Sequence, residues 1–311
     1  MIASHHFRAR SLNAMNQTFA FRSLLAVISL LLAGSALVAQ QTNTAQHCLW
    51  EAEKGTTKIY LFGTIHFSSS NFFPLPAVVE QAFAHSQTIM FEGDHEEEST
   101  PIGRSNTLAA AKFPPGDSLK NHVSSELYSN VQAYLIQAGV NGSYFDSIRP
   151  FMISFSLMDH GTAKLGLDMS KSVDGYLWDK AKKEKKRVLP LESLDQKLKL
   201  LTNLNDSQQE YMVTETLYQI AETNHIIPDV ASAWINGETE KVEKFLFESP
   251  RKHPELEKIL LTDRNKKWMP SIETQIKRGE TLFIAVGLGH LLGKDSLVAM
   301  LSKQGFKIRQ L

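Results

Sequence analysis

Lys58-Ile-Tyr-Leu-Phe-Gly-Thr-Ile-His66-Phe67 is the stretch on which the fold turns. From Ile59 to Phe62 it is apolar, β-branched and aromatic, the composition of a buried strand. A glycine follows, and three residues later a histidine. In open α/β sheets ligands gather beyond the carboxyl ends of the strands, so a histidine just past a buried strand stands where chemistry is usually placed. Near the other terminus, Thr281-Leu-Phe-Ile-Ala-Val-Gly-Leu-Gly-His290 repeats the design. The chain therefore carries two Gly-x-x-His motifs, Gly63 to His66 and Gly287 to His290. Strands from opposite ends of the chain can bring both histidines to one site.

Working outward, Cys48-Leu-Trp-Glu-Ala52 and Lys58–Phe62 flank Lys54-Gly55-Thr56, which reads as a β-hairpin. Pro76 opens a helical run, and Thr88-Ile-Met-Phe-Glu92 is a short buried strand running parallel to the first, which sets Glu92 at the same sheet edge as His66. Residues 93–117 are acidic, then rich in small residues, and read as an exposed connection or a rim of the site. The middle is helical: 118–137, 149–164, 173–186, 207–223, 234–247 and 254–278, with Gly237 and Pro250 as breaks. Between them Arg187-Val-Leu-Pro-Leu-Glu192 is another strand, and Glu192 repeats the placement of Glu92. A helix over 294–303, Gly305 as its stop and a strand Lys307–Gln310 complete the chain. The expected fold is α/β or α+β, a central mixed sheet built from both ends of the chain, with a helix-rich cap inserted over roughly 118–278.

The 311 residues are 42% hydrophobic and 21% charged, ordinary for a globular protein with a sizeable core. The 33 basic and 33 acidic side chains cancel, and Lys180–Arg187 has no interleaved aromatic residues to stack bases, so no nucleic-acid partner is expected. Arg8, Arg10 and Arg22 precede an apolar run from Leu24 and the small residues Gly34-Ser-Ala-Leu-Val-Ala39, the layout of a signal peptide over 1–39. The run is short for a membrane span, which needs ~20 residues, so export with cleavage is expected, to the periplasm or beyond. Contact with a membrane would come only through an uncleaved leader. Residues 40–47 form a linker, and 48–311 the folded domain. The single cysteine, Cys48, cannot form an internal disulfide and reads as a small strand residue.

Among the groups able to carry chemistry, His66 and His290 stand out because each ends an apolar strand at the same offset from a glycine; neutral imidazoles are common metal ligands. Glu92 and Asp94 lie two apart and on an extended segment point to one side, so that one can bind a metal while the other holds a water or a ligand histidine. His95, Glu96, Glu97 and Glu98 read as a solvated acidic loop.

The ordered set Tyr60-Leu-Phe-Gly-Thr-Ile-His66, Phe72-Phe-Pro-Leu-Pro76, Phe91-Glu92, Gly166-Leu-Asp168, Leu191-Glu192 with Gln196, Arg264-Asn265, and Gly287-Leu-Gly-His-Leu291 with Gly293 resembles the TraB/GumN family over about residues 48–311. That family is grouped with the Tiki metalloproteases and, more distantly, with erythromycin-esterase-like and ChaN-like proteins. The resemblance implies a metal-dependent hydrolytic site in which His66 and His290 are ligands and Glu92 is a ligand or the group that activates water. In the Tiki branch the activity is peptide-bond cleavage with manganese or cobalt; zinc is a further candidate ion. Carried over the same way, Arg264 holds a developing oxyanion or orients Glu92 or Glu192. Asn265 holds a loop or binds substrate backbone, Asp168 is a helix cap or a partner for a histidine, and Glu192 supports or packs. Phe151, Phe155 and Trp178 shape a cleft or belong to the core. The expected function is an exported metal-dependent hydrolase acting on a peptide or protein substrate. The alternative is a non-catalytic envelope protein that binds a peptide signal or polysaccharide machinery.

Overall fold

The computed structural model describes residues 46–222, 226–247 and 253–311, so the leader, most of the linker and the last residue of the helix expected over 207–223 lie outside the described residues. The hairpin forms as read: β1 (Leu49–Lys54) and β2 (Thr57–Thr64) pair antiparallel around Gly55, whose φ of 59° is open to glycine without a Cβ penalty. Then come α1 (Ala77–His85) and β3 (Thr88–Phe91). Six helices follow, α2 (His95–Ser99), α3 (Pro101–Ala111), α4 (Ser125–Gln137), α5 (Gly142–Phe145), α6 (Pro150–Ala163) and α7 (Val173–Lys183), before β4 (Arg187–Pro190). Six more, α8 (Leu194–Thr202), α9 (Asp206–Ala221), α10 (Ile226–Ile235), α11 (Thr239–Phe247), α12 (Pro254–Glu257) and α13 (Asp263–Ile276), lead to β5 (Leu282–Gly287). The chain ends with α14 (Leu297–Lys303) and β6 (Lys307–Gln310).

The sheet order is β4-β3-β5-β2-β1-β6, so the fold is mixed α/β. Four adjacent strands, β4, β3, β5 and β2, are parallel, while β1 runs against both β2 and β6. Strands covered on both faces should be apolar throughout, and β5 is buried at every position, as is β3. The strand-helix-strand unit is parallel as expected, but β3 does not lie beside β2: β5, from the other end of the chain, inserts between them. That insertion makes Gly287 the register partner of Thr64 and sets the two Gly-x-x-His motifs side by side.

The main core surrounds this sheet, and two smaller cores lie among the helices: one joins α4, α6 and α9 through Val131, Leu157 and Val213, the other gathers Phe151, Leu201, Leu204 and Leu256. The segment 93–117 differs from the expected connection, because its polar residues hold two short helices. Asp94 caps α2 through bonds from the Glu96 and Glu97 amides, and Thr100 caps α3, with Pro101 at its first turn. The acidic residues of α2 are paired rather than free: Glu96 with Lys182, Glu98 with Lys197, and Glu97 accepting from the Leu194 amide.

Candidate functional site

Because β2, β3, β4 and β5 are parallel, their carboxyl ends share one edge, and His66, Glu92, Glu192 and His290 all follow those ends. Glycine permits the approach. A Cβ on Gly287 would stand 3.4 Å from His66 Nε2 and 3.5 Å from Glu92 Oε2, so the open face of one motif's glycine is filled by the other motif's histidine.

His290 is buried, and burial pushes its pKa down to about 3, which keeps the imidazole neutral. Its tautomer follows from Asn265. The Asn265 amide nitrogen donates to the carbonyls of His290 and Asp295, so its Oδ1 faces the ring and accepts from Nδ1–H at 2.7 Å. The lone pair is then on Nε2, which lies 3.8 Å from Glu92 Oε2 and accepts from Arg264 Nη1 at 3.2 Å. Trp268 packs on the ring at 4.4 Å between centroids.

His66 contrasts with it: its side chain is 65% exposed. Asp174, in the first turn of α7, accepts from Thr64 Oγ1 at 2.7 Å with one oxygen and offers the other to His66 Nδ1 at 3.7 Å. That second oxygen is buried and carries no hydrogen bond. The Asp174 carboxylate raises the His66 pKa. Both rings thus present Nδ1 to an oxygen acceptor, the arrangement by which carboxylates and amides orient ligating histidines; Nε2 of His290 faces Glu92, and Nε2 of His66 and Glu92 Oε2 both border the open face of Gly287.

Arg264 ties the carboxylates together. Nε donates to Glu192 Oε2 at 3.0 Å, Nη2 donates to Glu192 Oε1 at 2.6 Å and also to Glu92 Oε1, and Nη1 donates to Leu260 O at 3.1 Å and to His290. All five N–H groups are engaged. Leu260 belongs to a π-helical turn, Lys258–Thr262, immediately before α13, and its carbonyl receives the guanidinium. Burial alone would raise the Glu92 pKa, but Arg264, with the two histidines, holds it far below the usual carboxylate range. Trp268 Nε1 completes the shell with a bond to Glu192 at 3.2 Å.

The structure therefore brings His66, Glu92, Glu192, Arg264, Asn265 and His290 together. It does not bring Asp94 or Asp168. The backbone turns into α2 right after Glu92, and Asp94 is engaged as the cap. Asp168 caps the turn Met169–Lys171, and its backbone bridges Ser68 at 2.8 and 3.0 Å, fixing the loop beyond His66. Asp174, the partner of His66, has no sequence signal, since a helix-start aspartate more than a hundred residues away looks like any other. Trp178 packs between Phe91 and His95, and it lines a polar concavity with Lys182 and Asp179. Burial pushes the Cys48 thiol up to about 12, in keeping with a strand-side packing role. Among the described residues, no group of three or more His, Cys, Asp or Glu is gathered closely enough to form a metal-binding group.

Fold and site together define a mixed α/β protein with a polar centre at the carboxyl edge of four parallel strands, assembled from both ends of the chain. The chain belongs to the TraB/PrgY/gumN family, whose sequence pattern is matched over residues 48–310. Uncharacterized protein YbaP of Escherichia coli (strain K12) is 25% identical over 247 residues, 79% of this chain and 89% of that protein. Metalloprotease TIKI2 of Danio rerio is 22% identical over 80% of this chain and 57% of its own length. Metalloprotease TIKI1 of the same fish is 23% identical over 86% and 64%. No solved structure matches the chain significantly.

Proposed function

We propose that this protein is a metal-dependent hydrolase that cleaves peptide bonds, with His66, His290 and Glu92 as the groups that hold a divalent cation. One observation carries the reading: two imidazoles from opposite ends of the chain each have Nδ1 directed at an oxygen acceptor, and their Nε2 atoms lie at the same sheet edge as the Glu92 carboxylate, His290's at 3.8 Å from it and His66's beside it at Gly287.

The donor types, though not their present spacing, fit such an ion. Nitrogen and carboxylate oxygen suit manganese, cobalt and zinc alike. Glu92, Glu192 and Asp174 set three negative charges against the one of Arg264, and the surplus matches a dication. The orphaned oxygen of Asp174 is the orienting partner that a ligating His66 requires. A cation at this centre supplies Lewis acidity toward a carbonyl and acidifies water.

The chain's own residues do the rest. Arg264 keeps Glu92 ionised and fixed, which makes Glu92 a better ligand than proton acceptor. Asn265 sets the His290 tautomer. Arg264 acts on the reaction through Glu92 and Glu192, because stabilising an oxyanion would require one of its five bonds to be given up. Water adds across the scissile bond, hydroxyl to the carbonyl carbon and proton to the departing nitrogen. The metalloprotease names of the TIKI relatives support this class at low identity. Export by the leader 1–39, ahead of a linker at 40–47 and a domain over 48–311, belongs to the same proposal and places the substrate among envelope or extracellular peptides.

A second reading has one observation in its favour: Arg264 Nη1–H already occupies the His290 lone pair, as in a closed polar network that binds without catalysis. Incubation of the purified chain with a peptide library, with manganese or cobalt and then with chelator, separates the two. Chelator-sensitive cleavage is expected; capture of peptides that is indifferent to chelator would replace the enzyme by a binder.

A further inference from the structure

Beside the polar centre lies a cavity of about 490 Å³ enclosed by α2, α3, α5, α6 and α8, a volume in the range of small-ligand sites. Its floor is apolar, with Phe151 and Leu201 buried. Its rim holds large hydrophobic side chains left in solvent: Leu108 is 50% exposed, Tyr144 59% and Phe155 41%. Apolar groups that line a concavity and remain wet mark a binding surface better than scattered ones do. Three charged side chains reach the lining: Lys197 Nζ and Glu98 Oε1 pair at 2.9 Å, and Arg104 donates to the Ser99 carbonyl.

The side with Lys197 and Glu98 is the one that meets the centre. The same Glu98 oxygen stands 3.1 Å from where a Cβ on Gly93 would be, and Gly93 directly follows Glu92. Two of the walls are direct continuations of the strands that carry the centre: α2 starts three residues after Glu92, and α8 starts two residues after Glu192. Lys197 and Glu98, on the side of the cavity next to the carboxyl edge of β3 and β4, are suited to a peptide C=O and N–H.

The geometry points to this cavity as the specificity pocket of the site, taking one bulky apolar side chain, aromatic or leucine-like, from an extended peptide. The assignment rests on the peptide-hydrolase reading for its substrate class. A peptide is favoured over an acyl chain because Lys197 and Glu98 offer a cation and an anion together, while Arg104, the other cation on the lining, is engaged by the Ser99 carbonyl.

The test is equilibrium binding with chelator present, so that no cleavage intervenes. Dye-labelled octapeptide amides that differ only in a central Phe or Ala are titrated with the full-length chain by fluorescence anisotropy. The Phe peptide should bind about 10- to 100-fold more tightly, the range expected for burying that ring. Leu108→Lys and Phe155→Lys should bring the ratio near one without loss of fold, since both side chains already face solvent. A ratio near one in the wild type, a ratio that survives both lysine substitutions, or dodecanoate binding more tightly than the Phe peptide would overturn the pocket. A clear Phe preference in a protein that cleaves no peptide when loaded with manganese or cobalt would keep the pocket and remove the hydrolase.

Discussion

Gly63 and Gly287 occupy equivalent places in the two motifs, yet a methyl group added to each meets different matter. At Gly63 it would stand 2.4 Å from Leu288 Cδ1 and 3.2 Å from Leu288 Cα, so both side chain and backbone of the neighbouring motif must shift. Gly63→Ala should lower stability by about 1–3 kcal/mol in urea unfolding, the usual cost of overpacking. At Gly287 the nearest atoms are polar groups of the centre at ordinary contact distance, and the φ of −49° suits alanine. Gly287→Ala should therefore leave stability within about 1 kcal/mol of the wild type while weakening whatever the centre binds. Equal destabilisation by the two alanines would contradict this division. Asp174→Asn tests the other support: it keeps the size of the side chain and its place beside Thr64 but removes the charge facing His66. Metal affinity by calorimetry should fall roughly 10- to 100-fold, as for other orienting partners; an unchanged affinity would detach Asp174 from the site.

The elements around the centre are held by local devices, and one of them is sensitive to pH. His122, just before α4, lies between Asp117 at 2.8 Å and Asp206 at 2.9 Å, with Phe113 stacked on its ring. Partial burial lowers its pKa, but bonds to the two carboxylates outweigh this and raise it; hydrogen bonds from Asn121 and His122 pull Asp117 down to about 2. A raised histidine contributes stability that is full below its unfolded value of about 6.5 and is lost as pH rises through the folded value. A depressed aspartate contributes above about 3.8 and loses that as pH falls toward its folded value. The pair is thus strongest between about pH 4 and 6.5. The urea midpoint of the wild type should exceed that of His122→Gln by more at pH 5.5 than at pH 9, the histidine's share being on the order of a few tenths of a kcal/mol after solvent screening; a constant gap would count against the bracket. Elements of this scale were unevenly legible in the sequence. The strands β2, β3 and β5 announced themselves by apolar runs that stop at Gly63, Glu92 and Gly287, because strands covered on both faces leave no polar alternation to misread; β4, a half-buried edge strand, showed itself by the apolar run before Glu192. Helices α2 and α3 did not, since His-Glu-Glu-Glu-Ser has no apolar face and its stability comes from the Asp94 cap and from lysines far away in the chain. Their starts were nevertheless written in Asp94 and in Thr100-Pro101. Contacts set only by tertiary placement, Asp174 on His66 and Trp268 on His290, had no pattern to read.

The centre draws on residues 66, 92, 174, 192, 264, 265 and 290, so it exists only when strands from both ends of the chain have joined one sheet. A ligand of the centre therefore binds the folded state and not the unfolded one, and stabilises the whole domain by mass action. At a hundred times its dissociation constant, manganese or cobalt should add about 2.7 kcal/mol. For a domain of this size that is roughly 5–10 °C in Tm. The two histidines should separate in this measurement because their environments differ. His66 is 65% exposed, so His66→Ala should match the wild-type Tm with chelator and lose the metal increment. His290 is 3% exposed and bonded to Asn265 and Arg264. His290→Ala should lose the increment and also fall in chelator, by about 2–4 kcal/mol, from the void against Trp268 and the partners left unbonded. Asp206→Asn, at the distant His122 bracket, should keep the increment. If manganese and cobalt raise the Tm of His66→Ala as far as that of the wild type, then the amino-terminal motif does not bind the ion, and the two ends of the chain converge for structure alone.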